Sequence, residues 1–145
     1  MWIPAIYVSR VRAQRTRAVA LPVPGRENRV DILHTLLGIE LKIGSHRLAC
    51  PDLATARYLR VFARLGCAEI AVPYDITRIS PLADEFETAW QRTLLLIASG
   101  SAGLAERSSA RLRSSVIKML RHELAEAGAG AAMPAFKTTT RQRTD

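Results

Sequence analysis

The chain has few cysteines, few aromatic residues and no long apolar run. Two of its 145 residues are Cys and 6% are aromatic. Cys50 and Cys67 are too few for a disulfide scaffold and have no metal-ligand spacing. No apolar run approaches the roughly 18 residues that a membrane span needs. These absences argue against a disulfide-rich secreted domain and a membrane protein, and they predict a cytoplasmic chain with reduced thiols.

Acidic residues are missing from the start of the chain. The first 26 residues hold five Arg and no Asp or Glu, which is loosely typical of a transit peptide. However, three prolines interrupt any helix there, and "AIYVSRV" and "RAVALPV" have the composition of strands. We therefore predict two short strands within residues 5–23 around the polar turn "RAQRT".

The residues that are abundant indicate a basic globular protein. Apolar residues make up 48% of the chain, charged residues 23%, and the net charge is +8. A positive balance of this size suits a polyanionic partner such as DNA. Lysine is scarce, because the chain holds 18 Arg but only Lys42, Lys118 and Lys137.

Turn residues and apolar periodicity divide the rest of the chain. We predict a helix over 51–66 and a strand over 67–75, followed by helices over 80–98 and 104–128 that form a hairpin across "SGSAG". This gives an α+β protein with one domain over residues 1–128, whose core covers about 5–76 and whose helical hairpin covers 80–128. Residues 129–145 are predicted to be a disordered basic tail.

The stretch "ENRVDILHTLLGIELKIGSH", residues 27–46, has two interpretations. As a helix, it would be capped by Asn28, with Val30, Leu33 and Leu37 at helical spacing and Gly38 past its end. That interpretation leaves a basic domain with no identifiable site.

As a β-hairpin, the same stretch would assemble a metal site. "VDIL" and "GIELKIG" both alternate, so Glu40 and Lys42 share the face opposite the apolar residues. Antiparallel pairing would let Asp31 and Glu40 face each other across the two strands, roughly 5 Å apart at Cβ. Two carboxylates that close repel each other unless a cation lies between them, and Mg²⁺ prefers such oxygen ligands.

Lys42 adds to the hairpin interpretation. The chain mostly uses Arg for positive charge, but at position 42, two residues from Glu40, it has the compact ammonium of a lysine. The alternative is an edge lysine that prevents aggregation.

Together, "PGRENRVDIL", "GIELKIG" and "DLATARYLRVFARLGCAEIAVPYD" resemble the PD-(D/E)xK nuclease superfamily, and within it the archaeal-type Holliday junction resolvases. Members have a Gly-containing loop, a strand bearing Asp, a strand bearing Glu-x-Lys, then a helix and a further strand. The resemblance covers about residues 23–76. Many relatives also carry a Glu on a first helix, whereas here Glu27 lies in the loop.

The resemblance implies a restriction-endonuclease-like core with a mixed β-sheet. It implies a metal-dependent endonuclease with Asp31, Glu40 and Lys42 as catalytic residues, and Mg²⁺ or Mn²⁺ held by Asp31, Glu40 and the carbonyl of Leu41. It further implies branched DNA as a substrate and roles in DNA recombination and repair. A two-fold symmetric substrate would suit a homodimer, whose interface the helical hairpin could supply.

Several arginines are candidates for DNA binding. Those near the proposed site in sequence or on the polar face of the 52–65 helix are Arg26, Arg29, Arg47, Arg57, Arg60 and Arg64. A second stripe on the last helix consists of Arg107, Arg111, Lys118 and His122. The second stripe could instead pair with Asp84, Glu85 and Glu87 on the neighbouring helix.

Two other functions fit the same sequence. One is a nucleic-acid-binding protein that uses this basic surface without catalysis. The other is an interaction module whose helices over 80–127 dock a partner, with residues 27–46 helical.

Overall fold

The computed structural model describes residues 1–25 and 29–128, and it is an α+β fold. The helices are α1 (Ile3–Ile6, continued by a π-helical turn over Tyr7–Val11), α2 (Leu53–Arg64), α3 (Ile79–Gly100) and α4 (Glu106–Glu126). The strands are β1 (Thr16–Ala20), β2 (Val30–Thr35), β3 (Gly38–Ile43), β4 (His46–Cys50) and β5 (Glu69–Pro73). The predicted helix 51–66, strand 67–75 and last two helices are confirmed. No described helix is long and apolar enough to cross a membrane. The tail prediction for 129–145 falls outside the described residues.

The N-terminal segment is helical where a strand was predicted. Ile3, Ile6, Tyr7 and Val11 are all fully buried, and their positions i, i+3, i+4 and i+8 fall on one face of a helix. The β-branched composition of "AIYVSRV" suggested a strand, but the apolar spacing decides the structure. The second predicted strand is confirmed as β1.

Residues 30–43 form the β-hairpin, and the helical interpretation is wrong. Strands β2 and β3 are joined by a turn whose two leucines, Leu36 and Leu37, are almost fully exposed. The Thr35 hydroxyl closes this turn, accepting from the Leu37 N–H at 3.1 Å and donating to the Gly38 carbonyl at 3.0 Å. Gly38 has φ of 124°, which favours glycine.

Strand β4 was not predicted, and it extends the hairpin into a three-stranded antiparallel meander, β2–β3–β4. Gly44, in the turn between β3 and β4, has φ of 61°, and a Cβ there would lie 2.8 Å from the Pro24 carbonyl oxygen. Only glycine fits where this turn meets the loop before β2.

The meander and the β1–β5 pair are separate antiparallel sheets, so the predicted mixed sheet does not form among the described residues. On the side of β5 away from β1, the backbone groups of Ala71 form hydrogen bonds with two tyrosine side chains. The Tyr58 hydroxyl donates to the Ala71 carbonyl at 2.8 Å, and the Ala71 N–H donates to the Tyr7 hydroxyl at 3.3 Å. Two tyrosines thus occupy the backbone groups that a further strand would need.

Helix α2 lies at the centre of the core. Its N-cap Asp52 accepts from the Thr55 N–H at 2.7 Å, and its buried face packs on α3 and on the meander. Phe62 contacts the rings of Tyr7, Tyr58 and Phe86 at centroid distances of 4.9–6.0 Å. This aromatic cluster joins α1, α2 and α3.

Helix α4 is held at its C-terminal end. Only Leu120 and Leu124 are buried among its side chains, whereas Leu112 and Val116 are half-buried. Helix α4 contacts both α3 and α1. The predicted helical hairpin is present, but the N-terminal half of its second arm has little packing.

Candidate metal and nucleic-acid site

The three predicted catalytic side chains lie on one face of the meander. Directly paired residues in an antiparallel sheet share a face, and Asp31 pairs with Lys42 while Glu40 pairs with Leu33. The prediction that Asp31 and Glu40 face each other directly is wrong. The two-residue turn at Leu36–Leu37 sets a register in which the partner of Asp31 is Lys42, two residues beyond Glu40. The two acids are diagonal neighbours, a relation that places the two residues roughly 7–8 Å apart and their Cβ atoms somewhat closer.

Glu40 is engaged by a cation from the strand that was not predicted. Arg47 Nη1 lies 3.3 Å from Glu40 Oε1, and the two side chains are 58% and 20% exposed. Because Arg47 pairs with Lys42 across β3 and β4, it points to the same face as the three predicted residues. The polar face therefore holds two acidic and two basic side chains.

Asp31 and Lys42 are exposed, and within residues 1–25 and 29–128 no ion pair joins them. Arg64 of α2 lies close enough to Asp31 to interact electrostatically. Burial lowers the pKa of Arg64 and neighbouring Arg60 lowers it further, while Asp31 acts in the opposite direction. Asp31 is thus within electrostatic range of a cation on α2.

Leu41 lies on the middle strand of the meander, with its side chain fully buried. It pairs with Ile32 on one side and with Leu48 on the other. Backbone groups of a middle strand point toward its neighbours, so the Leu41 carbonyl lies within the hydrogen-bonding plane of the sheet. Metal binding by this carbonyl stays a prediction.

The two acids of this face carry carboxylate oxygens, which are ligands that Mg²⁺ prefers. No group of three or more His, Cys, Asp or Glu side chains comes together in the part of the chain that the structure describes. Mg²⁺ keeps several waters and is often bound by one or two carboxylates plus substrate phosphate. Asp31 and Glu40 can supply two carboxylates, so their chemistry is compatible with such an ion.

Two of the predicted DNA-binding arginines form ion pairs between α2 and α3. Arg57 binds Asp84 and lies 2.6 Å from Glu87 Oε1, and Arg60 lies 3.2 Å from Glu87 Oε2. Hydrogen bonds to Glu87, and then to Asp84, raise the pKa of Arg57. Contact of these arginines with DNA stays a prediction, and it would compete with this network.

The other predicted DNA-binding arginines differ in their surroundings. Arg29 is exposed just before β2, and Arg47 is exposed beside Glu40. Arg26 lies outside the described residues.

The cysteines do not belong to the site. Cys50 and Cys67 are buried free thiols. Burial raises the pKa of Cys50, with Asp52 adding to the effect, and burial raises the pKa of Cys67 to about 11. Both thiols are therefore protonated at neutral pH and chemically quiet.

Sequence reasoning missed Arg47 as a partner of Glu40 and missed the acids that bind α2. A signal for the second was present: Arg57 and Arg60 are spaced by three residues, as are Asp84 and Glu87, which suits two facing helices. The chain matches no protein-family profile, no curated protein and no solved structure.

Proposed function

We propose that this protein is a metal-dependent endonuclease that acts on DNA, with branched DNA as its substrate form. The observation that supports the proposal is the shared polar face of the meander, where strand alternation brings Asp31, Glu40 and Lys42 together. This is the residue set by which the sequence resembles the PD-(D/E)xK nucleases.

Each side chain has a role in this proposal. Asp31 and Glu40 would hold Mg²⁺ or Mn²⁺, which when bound supplies a more acidic water and offsets charge on the phosphate. Lys42, exposed and directly opposite Asp31, would orient the attacking water or neutralise a phosphate oxygen.

Arg47 must release Glu40 for this site to bind metal. Its pair with Glu40 is partly exposed and joined by a single contact at 3.3 Å, so breaking it costs little, on the order of 1 kcal/mol or less. A released Arg47 would remain on the same face, where it could bind a phosphate of the substrate.

The test is cleavage of a labelled four-way DNA junction and of its linear duplex arms. We expect cleavage with Mg²⁺ or Mn²⁺ but none with Ca²⁺ or chelator. Glu40→Ala should lower the rate by about 100-fold or more, because one of two metal ligands is lost. Glu85→Ala is the matched control, because Glu85 is an acid of helix α3 that is remote in sequence from the meander. The Glu85→Ala protein should cleave DNA at the wild-type rate.

Metal binding provides a separate readout. Titration calorimetry with Mn²⁺ alone should show binding to the wild type and weakened binding to Asp31→Asn, whereas Arg47→Ala should bind equally or more tightly. Sedimentation equilibrium of the same samples tests the proposed homodimer. A wild type that neither binds Mn²⁺ nor cleaves any of these substrates would rule out the nuclease proposal.

A second candidate is a nucleic-acid-binding protein without catalysis. The Glu40–Arg47 ion pair favours it, because that pair satisfies the more buried acid without a metal. Junction binding that is unchanged in Asp31→Ala and Glu40→Ala, with no cleavage by the wild type, would identify this second function.

A further inference from the structure

Helix α4 carries a row of cations on the face turned away from the core. Arg107, Arg111, Ser114 and Lys118 follow one another at helical spacing, opposite Leu120 and Leu124. The row borders an open surface depression lined by Arg107, Ala110, Arg111, Ser114, Ser115 and Lys118. We call Arg107, Arg111 and Lys118 the α4 stripe.

The acids that could have neutralised the α4 stripe are occupied elsewhere. Asp84 and Glu87 bind arginines of α2, and Glu85 binds Arg10 at 2.8 Å. Within residues 1–25 and 29–128, no ion pair or hydrogen bond joins the α4 stripe to an acid. The cations of the α4 stripe are therefore available to form ion pairs with an anionic ligand.

The acids of α4 itself do not lie on the stripe either. At 100° per residue, Glu106, Glu123 and Glu126 project to other faces of the helix. Glu126 lies 3.8 Å from His122 at the far end. The stripe is thus a surface of one sign.

This arrangement is unfavourable for the isolated protein. Arg107 and Arg111 are like charges four residues apart, which destabilises a helix by roughly 0.2–0.5 kcal/mol. Arg107 also lies in the first turn, where the positive end of the helix dipole disfavours a cation. A bound polyanion would relieve both effects.

We propose that the α4 stripe binds the phosphate backbone of a DNA duplex. The distance from Arg107 to Lys118 along the helix is about 16 Å, and a duplex presents about one charge per 1.7 Å of its axis over that length. Ser114 and Ser115 can donate hydrogen bonds to phosphate oxygens. The proposal rests on the proposed function only for the choice of DNA, since the stripe is separate from the meander.

The same features disfavour a lipid surface as the ligand. Membrane-surface helices place large apolar or aromatic side chains beside their cations. Helix α4 contains no aromatic residue, and Met119 is its one large hydrophobic side chain that is exposed among those described.

The test compares two triple variants with the same net charge. One is Arg107→Ala/Arg111→Ala/Lys118→Ala, and the control is Arg78→Ala/Arg92→Ala/Arg113→Ala, which removes three exposed cations from other faces. Fluorescence anisotropy with a labelled duplex is measured over a range of salt concentrations. We expect the stripe variant to bind about tenfold or more weakly and to reduce the slope of log K against log salt by roughly 2–3.

A second measurement uses the wild type, so that it does not depend on the folding of a variant. Acetylation of Lys118, followed by mass spectrometry, should slow by about threefold or more when duplex is bound, as expected for a lysine that contacts phosphate. Equal affinities and slopes for the two variants, with Lys118 unprotected, would refute the proposal. Binding of phosphatidylserine vesicles in place of duplex would refute it as well.

The two proposals fail in different ways. If Glu40→Ala loses cleavage but keeps its duplex affinity, the result bears on the proposed meander site and not on the α4 stripe. Loss of duplex affinity in the stripe variant, with Mn²⁺ binding unchanged, tests only α4.

Discussion

Helices α2 and α4 carry similar rows of arginines that meet different surroundings. In α2, Arg57 and Arg60 form ion pairs with Glu87 of α3, with distances of 2.6 and 3.2 Å between guanidinium nitrogen and carboxylate oxygen. In α4, Arg107 and Arg111 face away from the core and find no acid among the described residues. A basic helical stripe is therefore informative about ligands only once the neighbouring helix is known.

The α2–α3 network is partly desolvated, which makes it more important for stability than most surface ion pairs. The side chains of Arg57 and Glu87 are 24% and 27% exposed. Removing one partner would leave the other charge partly buried, and that cost exceeds the value of an exposed pair. The two stripes should therefore respond differently to mutation.

The largest expected effect is that of Glu87→Ala. This change leaves Arg57 and Arg60 without their shared partner, and we expect it to lower the free energy of unfolding by roughly 1–2 kcal/mol. Glu85→Ala is the matched control on the same helix, because its pair with Arg10 is more exposed and should contribute less than about 1 kcal/mol. Urea unfolding of both variants checks the difference, and equal losses would contradict it.

A smaller effect is expected on acidification. Burial pushes the pKa of Glu87 upward, but hydrogen bonds and charge from Arg57, and then Arg60, outweigh it and leave the pKa below 4.5. A lowered pKa means that the folded state favours the charged form, so this contribution is present above pH 4.5 and is lost as the pH falls through the folded pKa.

Glu87→Gln removes this titration and provides the comparison. Asp75 also has a lowered pKa, because the Thr77 hydroxyl and N–H donate to it, and it is retained in both proteins. Below pH 4.5 the stability of the wild type should therefore fall more steeply than that of Glu87→Gln, by up to about 1 kcal/mol. Parallel curves would show that the network does not depend on the Glu87 charge.

The smallest effect is expected in α4 and has the opposite sign. Arg111→Ala removes the repulsion with Arg107 and introduces the best helix former, so stability should rise by roughly 0.2–0.5 kcal/mol. Thermal unfolding at low salt checks this change, and added salt should diminish it. A loss of stability would show that Arg111 has a favourable contact within the protein.

The sequence predicted most elements because their apolar spacing is regular. Alternation in "VDIL" and "GIELKIG" correctly indicated strands and placed Asp31, Glu40 and Lys42 on one face. It could not give the register, because a turn of two exposed leucines has none of the usual Asn-Gly or Asp-Gly signals.

Two other errors involve long-range contacts. The Tyr7 and Tyr58 hydroxyls at Ala71 connect distant segments, and no local pattern reveals that they occupy the side of β5 where another strand was expected. Likewise, the pairing of Arg47 with Glu40 depends on β4, whose short "HRLAC" carries little strand signal.

The division into two sheets has a consequence for how the chain folds. The meander connects neighbouring strands through short turns. Strand β1 instead pairs with β5, and the whole meander and α2 lie between these two strands in the sequence. Closing the longer loop costs more conformational entropy before any contact rewards it. The part of the chain that bears the two acids and the lysine is thus the one that can assemble locally, ahead of the sheet that completes the core.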